Sequence, residues 1–247
     1  MSDVSLLARS LESAHFGLPV FSAAVANRAD ATRLLDLAAG IAEGLLIVRI
    51  PADAHGAIQT LERRGAVLCD VLQTLTIAVP RQRRNLVEQH ATTIRAGTSD
   101  DADVMAAIGG DAFRGFVGHW HSDDRLRAGL ADQLYARWSA DLARGADAAH
   151  PVLLAERASK PIGFLALARV TDTTWSVALT CVAPEYRASG AFQNLLDAAC
   201  DMVADQRADR LEYETQLTNL PALRAVIRAG FEPKSARLTF HLWMSGA

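Results

Sequence analysis

The stretch VAPEYRASGAFQNLLDAA, Val182 to Ala199, joins the end of a strand to an amphipathic helix through a proline and a glycine-containing loop. Apolar residues recur along the helical part at spacings of three and four, at Phe192, Leu195, Leu196, Ala199 and Val203. One face of this helix therefore packs on a sheet, which holds its first turn in place.

An arginine, Arg187, stands three residues before Gly190 in this stretch. The N-terminus of a helix presents unpaired backbone N–H groups and the positive end of the helix dipole, and a glycine there lets a phosphate approach the backbone. An arginine just ahead can add charge-assisted hydrogen bonds. The loop thus has the chemistry of a diphosphate cradle, although R-x-x-G by itself is more often an ordinary surface turn.

Segments of strand and helix length lie on both sides of this loop. Before it, PVLLAER, GFLALARV and WSVALTCV are separated by turn residues and predict an antiparallel meander. After it, LEYETQ predicts a strand, NLPALRAVIRAG a helix with Asn219 as N-cap, and ARLTFHLW a last strand. Further upstream, TIRAG predicts a strand, and Ser99 is the predicted N-cap of a helix that follows it. A second helix is expected from about Asp124 to Ala143.

The start of the chain predicts a smaller β-α-β-α-β unit. Its strands are VFSAAV, LLIVRI and VLQTLTIAV, and its helices are expected at Ala31–Ala42 and Ala54–Arg64. The charged stretch PRQRRNLVEQH follows, where the apolar periodicity lapses. We therefore predict a reduced α/β domain at 1–80, a linker at 81–90, and a larger α/β domain at 91–247 whose mixed sheet has six or seven strands and helices on both faces.

Composition excludes several classes of function. Lys and Arg total 25 against 28 Asp and Glu, so the net charge of -3 leaves no electrostatic footprint for DNA. No apolar run approaches the roughly 20 residues that span a bilayer, and the N-terminus lacks the basic region of a secretory signal. Three scattered cysteines fit neither a metal pattern nor a disulfide framework. We expect a cytoplasmic protein with reduced thiols and no membrane partner; a homodimer is left open.

Residues Thr93 to Trp243 resemble the GNAT family of acyl-CoA N-acyltransferases, in which a strand ending V-x-P precedes an R/Q-x-x-G-x-G/A loop and a helix. TQLTNLPALRAVIRAGF resembles the family's N-x-x-A…G-F block. KSARLTFHLW, ESAHFG and FRGFVGHWHSDDRLRAGLADQLYARW are similar to sugar-nucleotide acetyltransferases such as dTDP-fucosamine acetyltransferase. The resemblance implies the GNAT fold, a mixed and mostly antiparallel sheet with helices on both faces. The first 80 residues resemble a partial copy of it without the loop.

The resemblance also implies a donor site. A pyrophosphate-binding loop for acetyl-CoA or another acyl-CoA would consist of Arg187, Ala188, Ser189, Gly190 and Ala191.

The pantetheine arm of the donor would lie between two strands that splay apart. By the same resemblance, backbone groups of Thr180, Cys181 and Val182 would contact this arm, and the N–H near Val182 would stabilise the oxyanion. Asn219 would stand close to the arm, a role compatible with capping its helix.

Two positions depart from the family pattern. Phe192 stands where the family prefers glycine or alanine, and its ring either turns onto the core or narrows the diphosphate site. Val226 stands where the family often has a tyrosine that protonates the leaving thiolate. The first departure leaves open another donor, either the phosphopantetheine of an acyl carrier protein or an aminoacyl-tRNA.

Four residues are candidates for proton transfer. Alternation along LEYETQ places Glu212 and Glu214 on one side of the strand and Tyr213 on the other. A glutamate lining the acceptor pocket would serve as base, and the alternative is a strand end that reaches solvent. Tyr213 and His241 are the remaining candidates, for which simple burial with a satisfied polar group is the commoner role.

The segment GHWHSDD concentrates polar and aromatic groups between the first two helices of the larger domain. In the GNAT family this connection covers the acceptor, so His119, Trp120 and His121 are candidates for substrate binding. We expect no metal, because two histidines at i and i+2 without a third ligand are weak evidence for a site.

These expectations describe an N-acyltransferase that moves an acyl group, acetyl in the simplest case, from acyl-CoA to a small biosynthetic amine such as an amino sugar nucleotide. Transfer would be direct, without an acyl-enzyme at Cys181, because buried cysteine is usually inert. The alternative from another class is a degenerate GNAT pair that binds a ligand or a partner without turnover.

Overall fold

The computed structural model describes residues 4–79 and 92–244. The stretch predicted as a linker, 81–90, lies outside the described residues, so the division into domains stays a prediction.

The predicted elements of both segments are present, with a short additional strand and helix at the start. The strands are β1 (Leu7–Ala8), β2 (Val20–Ala24), β3 (Gly44–Pro51), β4 (Val67–Ala78), β5 (Thr92–Ala96), β6 (Val152–Arg157), β7 (Lys160–Arg169), β8 (Thr174–Val182), β9 (Arg210–Gln216) and β10 (Glu232–Met244). The α-helices are α1 (Ser10–Phe16), α2 (Arg28–Ala38), α3 (His55–Arg63), α4 (Ala102–Ala112), α5 (Ala128–Arg144), α6 (Ala191–Asp205) and α7 (Leu220–Arg228).

Two helix starts differ from the prediction because other residues cap them. The side chain of Asn27 accepts a hydrogen bond from the backbone N–H of Asp30 at 3.0 Å, so α2 begins earlier than Ala31. Ser99 is not a cap: Thr98 and Asp101 form a capping box around the single 3-10 turn ahead of α4.

The ten strands form one sheet in the order β1-β2-β3-β10-β4-β9-β8-β7-β6-β5. Two neighbouring pairs are parallel, β2 with β3 and β8 with β9, and each pair is joined by a helix, α2 or α6. All other neighbours are antiparallel, including the predicted meander β6-β7-β8. The expected mixed, mostly antiparallel sheet is therefore confirmed.

The last strand lies between two strands of the first segment. β10 pairs antiparallel with all of β3 on one side and with most of β4 on the other, and β4 also pairs with β9. The six strands of the second segment are consequently not contiguous, since β4 separates β9 from β10. Side chains that project from β3, β10, β4 and β9 can therefore meet although they are far apart in sequence.

Helices cover both faces of the sheet, as predicted. On one side, which we call the α6 face, α2 and α3 pack on the first strands and α6 and α7 on the later ones. On the other side, the α5 face, α1, α4, α5 and the connection 113–127 pack on the sheet. None of the described helices has the length and apolar content required to cross a membrane.

Candidate active site

β8 and β9 pair along only part of their length. Their parallel register runs from Thr174 opposite Arg210 to Val177 opposite Tyr213. β8 then continues to Val182 while still paired with β7, and β9 continues while still paired with β4. The two strands diverge beyond Tyr213, and this opening, which we call the splay, leaves backbone N–H and C=O groups for a ligand.

The loop between the end of β8 and α6 fits an anion. Ala188 and Gly190 have positive φ values of 62° and 86°, and Gly190 occupies the N-cap position of α6 without a side-chain cap. The first N–H groups of a helix have no intrahelical partner, and the first turn of α6 carries no acidic residue. The hydroxyl of Ser189 is buried and has no hydrogen-bond partner among the described residues. Donors thus converge on the end of this loop, where the first turn of α6 adds no carboxylate.

Arg187 lies at the surface beside this loop. Its Nη2 donates a hydrogen bond to the carbonyl oxygen of Ala112, at the C-terminus of α4, over 2.8 Å. A diphosphate bound at the loop would compete with that carbonyl for the same guanidinium.

The two departures from the family pattern are both in the core. The ring of Phe192 packs edge-on against that of Tyr213, with the ring centroids 6.1 Å apart, and therefore turns onto the core. Val226 is fully buried in the same cluster. Asn219 caps α7, since its side chain accepts from the N–H of Ala222 and also donates to the hydroxyl of Thr215 at 3.0 Å.

The predicted residues of β8 have internal partners. The hydroxyl of Thr180 donates to the carbonyl oxygen of Phe164 at 2.8 Å. Cys181 is buried, and burial raises the pKa of its thiol, so the sulfur is protonated at neutral pH and is a poor nucleophile.

The two glutamates lie on the α5 face of β9, as the alternation predicted. Lys234 forms an ion pair with Glu212, and Arg237 donates to Glu214 through both Nε and Nη2. Thr74 adds a hydrogen bond to Glu214 at 3.2 Å. Both carboxylates therefore have cationic partners from β10 in place of an open acceptor pocket.

Tyr213 lies on the opposite, α6 face at the point where the splay begins. Burial, and then the neighbouring thiol of Cys181, raise the pKa of its hydroxyl. The group is therefore fully protonated at neutral pH, and because the raised pKa disfavours the phenolate, it can act at the splay as a hydrogen-bond donor more readily than as an acid.

Three buried side chains on the α5 face form a chain of hydrogen bonds, which we call the relay. Nδ1 of His241, on β10, lies 2.8 Å from Oδ2 of Asp123, and its Nε2 lies 2.9 Å from Nδ1 of His119. Trp243 donates to the same Oδ2 at 2.8 Å, and the N–H of Arg125 donates to Oδ1 at 3.1 Å.

The bonds of the relay set the tautomers of both histidines. Because a carboxylate only accepts, His241 donates from Nδ1 and accepts at Nε2, so His119 donates from Nδ1 and keeps a lone pair on Nε2. Burial lowers the pKa of His119 well below its ordinary value, and His241 adds to the shift. Burial also lowers the pKa of His241, against the opposing effect of Asp123. Both rings are consequently neutral at pH 7, and Nε2 of His119 is a free base.

Of the other two residues predicted to bind the acceptor, Trp120 packs against the relay and His121 bonds to a residue outside it. The indole of Trp120 is buried, with its ring 4.2 Å from that of His119 and 5.0 Å from that of Phe16. Nε2 of His121 lies 3.1 Å from Oδ1 of Asp132. Nε2 of His15, on α1, lies 2.7 Å from the carbonyl oxygen of Leu130. Only His119 of the predicted trio belongs to the relay.

The thiol of Cys69 lies beside the relay, and its sulfur, an oxygen of Asp123 and a nitrogen of His241 lie within 4.8 Å of one another. Both oxygens of Asp123 and both ring nitrogens of His241 already have partners, so an ion here would have to displace the relay bonds. The expectation of no metal stays a prediction.

Sequence reasoning missed a second polar group on the same face. Arg49 on β3, Thr239 on β10 and Asp70 on β4 stand directly opposite one another in the sheet register. A single charged residue in an otherwise apolar strand, as Arg49 is in LLIVRI, signals a polar partner or a ligand at that position. That signal does not identify the partner strands.

The fold and these groups define an α/β protein with one parallel strand pair that opens beside an uncapped helix N-terminus, and with a neutral histidine on the α5 face nearby. Residues 114–231 match the model of the Acetyltransferase (GNAT) family. This stretch, a little under half of the chain, is a domain of the acetyltransferase (GNAT) family, which supports N-acyl transfer as its activity.

Solved structures share the fold over almost the whole chain. A functionally unknown conserved protein from Staphylococcus epidermidis is 11% identical, with a TM-score of 0.63 over 98% of this chain and 92% of that one. A GCN5-related N-acetyltransferase from Sphaerobacter thermophilus is 14% identical, with a TM-score of 0.60 over 99% and 77%. A tandem GNAT protein from the clavulanic acid biosynthesis pathway is 11% identical, with a TM-score of 0.54 over 89% and 69%. Among curated proteins, no sequence matches this chain significantly.

Proposed function

We propose that this protein transfers an acyl group, acetyl in the simplest case, from acyl-CoA to the amine of a small biosynthetic acceptor bound on the α5 face. The observation that carries the proposal is the splay beyond Tyr213, with the α6 loop at one end and the relay close by. Gly118, which precedes His119, lies close to the end of β9: a methyl group added to it would be 3.5 Å from Nε2 of Gln216. The relay therefore adjoins the open end of the β8–β9 pair.

Each part of the site has one task. The α6 loop and Arg187 would bind the diphosphate of the donor, and the free edge of β8 would bind the pantetheine arm. A backbone N–H near Val182 would stabilise the oxyanion. The ternary complex brings the amine directly to the thioester, so no acyl-enzyme forms.

Two residues on opposite faces of the sheet would assist the reaction. The amine nitrogen bonds to the thioester carbon and gives a proton to Nε2 of His119, while the carbon–sulfur bond breaks and the hydroxyl of Tyr213 donates a hydrogen bond to the departing thiolate. His119 then gives its proton to solvent, and the thiolate takes a proton from solvent. His241 and Asp123 would act as positioning residues, because they hold His119 in the tautomer with Nε2 unprotonated.

Two alternatives remain as proposals of lower support. A carrier-bound donor was motivated by Phe192, whose ring packs on Tyr213 and does not obstruct the loop. A non-catalytic binding protein is favoured by Val226, which supplies no hydroxyl at the position of the usual tyrosine. An amino sugar nucleotide is one member of the proposed acceptor class.

Release of free thiol from acetyl-CoA, measured with a panel of amines, tests the proposal. We expect turnover in the wild type and a loss of about 10²- to 10⁴-fold in kcat/KM for His119→Gln, the usual range for general-base catalysis. His150→Gln, which changes an exposed histidine, is the matched control. CoA binding without thiol release for any amine would support the non-catalytic alternative, and full activity of His119→Gln would remove His119 from the mechanism.

A further inference from the structure

The row formed by Arg49, Thr239 and Asp70 contains three buried polar atoms without a partner. Across residues 4–79 and 92–244, no group pairs with Nε of Arg49, Oγ1 of Thr239 or Oδ1 of Asp70. A buried polar atom left unpaired costs about 1–3 kcal/mol, and native proteins contain few of them. Three such atoms in direct register across adjacent strands indicate a site that a ligand completes.

The row is also open to solvent at one end. Thr239 is fully buried, but 40% of the Arg49 side chain is exposed. Even so, surrounding protein desolvates the guanidinium and lowers its pKa, and Arg237 adds to the shift against the opposing charges of Glu214 and Asp70. The guanidinium is thus reachable by water although protein atoms surround much of it.

One cation and one anion of the row, Arg49 and Asp70, have no close ion pair and are available to a ligand. Arg237 and Glu214 neutralise each other, whereas Nη1 of Arg49 is 4.0 Å from Oε1 of Glu214, beyond hydrogen-bond distance. Asp70 has one long contact, 3.5 Å from its Oδ2 to Nε2 of Gln216. A single guanidinium matches one carboxylate better than a diphosphate, which usually requires several donors.

We infer that the row binds the acceptor of the reaction, and that this acceptor is an amino acid or an amino-acid derivative, with its carboxylate on Arg49 and a hydrogen-bond donor on Asp70. The inference rests on the proposed function, because the ligand of the row is an acceptor only if the protein transfers an acyl group. The row adjoins the relay, because His241 follows Thr239 by two residues on the same face of β10. The amine to be acylated would thus lie toward His119 and the splay.

Matched pairs of ligands test the inference without requiring turnover. The probes are the L-α-amino acids and their primary amides, which differ only in the carboxylate, together with a UDP-linked amino sugar. Calorimetry in the absence of any donor measures their dissociation constants for the wild type, Arg49→Gln and the control Arg169→Gln, which removes a cation from an exposed turn.

We expect at least one amino acid to bind about 10- to 100-fold more tightly than its amide, the range for a hydrogen-bonded charge pair. Arg49→Gln should abolish that ratio while leaving the affinity of the amide unchanged, and Arg169→Gln should keep it. Equal affinities for acid and amide in the wild type, binding of the amino sugar nucleotide alone, or the same ratio in Arg49→Gln would overturn the inference.

The variant Thr239→Val separates a ligand role from a structural one. Because the hydroxyl has no partner among the described residues, the isosteric change should leave the urea midpoint unchanged or raise it, while it weakens amino-acid binding several-fold. A lower midpoint with unchanged binding would contradict the inference. If the amino acids bind as expected but no thiol is released, the row stands and the proposed acyl transfer fails.

Discussion

The sheet contains two parallel strand pairs of the same construction, β2-α2-β3 and β8-α6-β9, and they differ at their open ends. Every residue of β2 pairs with β3, whereas β8 and β9 separate after Tyr213. The N-terminus of α2 is capped by Asn27 and carries the buried carboxylate of Asp30. That of α6 begins at a glycine without a cap or an acid.

The difference shows what makes such a unit a donor site. A closed pair with an acidic helix start has no free backbone edge and repels a phosphate. The first segment therefore contributes no second donor site of this kind within its described residues. It contributes strands β3 and β4, whose side chains form the proposed acceptor face together with β10.

The largest expected effect separates chemistry from donor binding. Asp123→Asn should keep the shape of the relay but allow His241 and His119 to adopt the wrong tautomers, so kcat should fall by about 10²- to 10⁴-fold. Asp147→Asn, at an exposed turn, is the control. Calorimetry with CoA should give the same dissociation constant for all three proteins, because the proposed donor site lies on β8 and α6. A lower affinity for CoA in Asp123→Asn alone would show that the two sites are not separable.

Equivalent truncations in α6 and α2 should cost similar stability but differ in ligand binding. Phe192→Ala and Leu34→Ala each remove a side chain packed on the α6 face, at a cost of about 3 kcal/mol in the free energy of unfolding measured with urea. Only Phe192→Ala should change the affinity for CoA, because Phe192 lies in the first turn of α6 beside the proposed diphosphate loop. Leu34 lies in α2, which connects the two strands of the closed pair. An equal effect of both variants on CoA affinity would break the comparison.

Charge reversal at the two helix starts tests the anion site more directly. Arg187→Glu should weaken CoA binding by about 10-fold or more, because it removes a cation and places an anion beside the diphosphate. Arg28→Glu, at the start of α2, should leave the affinity unchanged. Identical calorimetric titrations for wild type and Arg187→Glu would exclude this loop as the diphosphate site.

The relay of the second segment makes stability depend on pH. His119 and His241 have lowered pKa values in the folded protein, whereas the unfolded chain binds a proton at each below about pH 6.5. Stability should be complete above that pH and fall below it, by up to about 1.4 kcal/mol per pH unit for each histidine. Urea unfolding between pH 5 and 8, about the range in which histidine titrates, should show this slope. The double variant His119→Gln, His241→Gln should flatten it, and an unchanged slope would place the titration elsewhere.

The smallest effect concerns the cap of the closed pair. Asn27→Ala should cost about 1 kcal/mol in the free energy of unfolding, because the N–H of Asp30 loses its acceptor. Activity should not change, since no ligand contacts α2. A loss of CoA affinity in this variant would mean that the closed pair also takes part in donor binding.

Local patterns in the sequence determined much of the fold. Strand alternation, the three- and four-residue spacing around Leu195, and the caps Asn219 and Gly190 predicted the elements and the α6 loop. These features follow from residues close together in the chain, and each acts through a backbone conformation that neighbouring residues decide. The donor side of the site was therefore accessible before any tertiary structure.

Only the tertiary structure decided the acceptor side. Glu212 and Glu214 were predicted on the correct face, but their ion pairs with Lys234 and Arg237 arise because β10 lies near β9 across β4. The relay joins residues 118 and 122 positions apart, and the row joins three strands of two segments. The order of distant strands in the sheet depends on the free energy of the whole packed core. Short sequence patterns therefore do not predict which of these strands become neighbours.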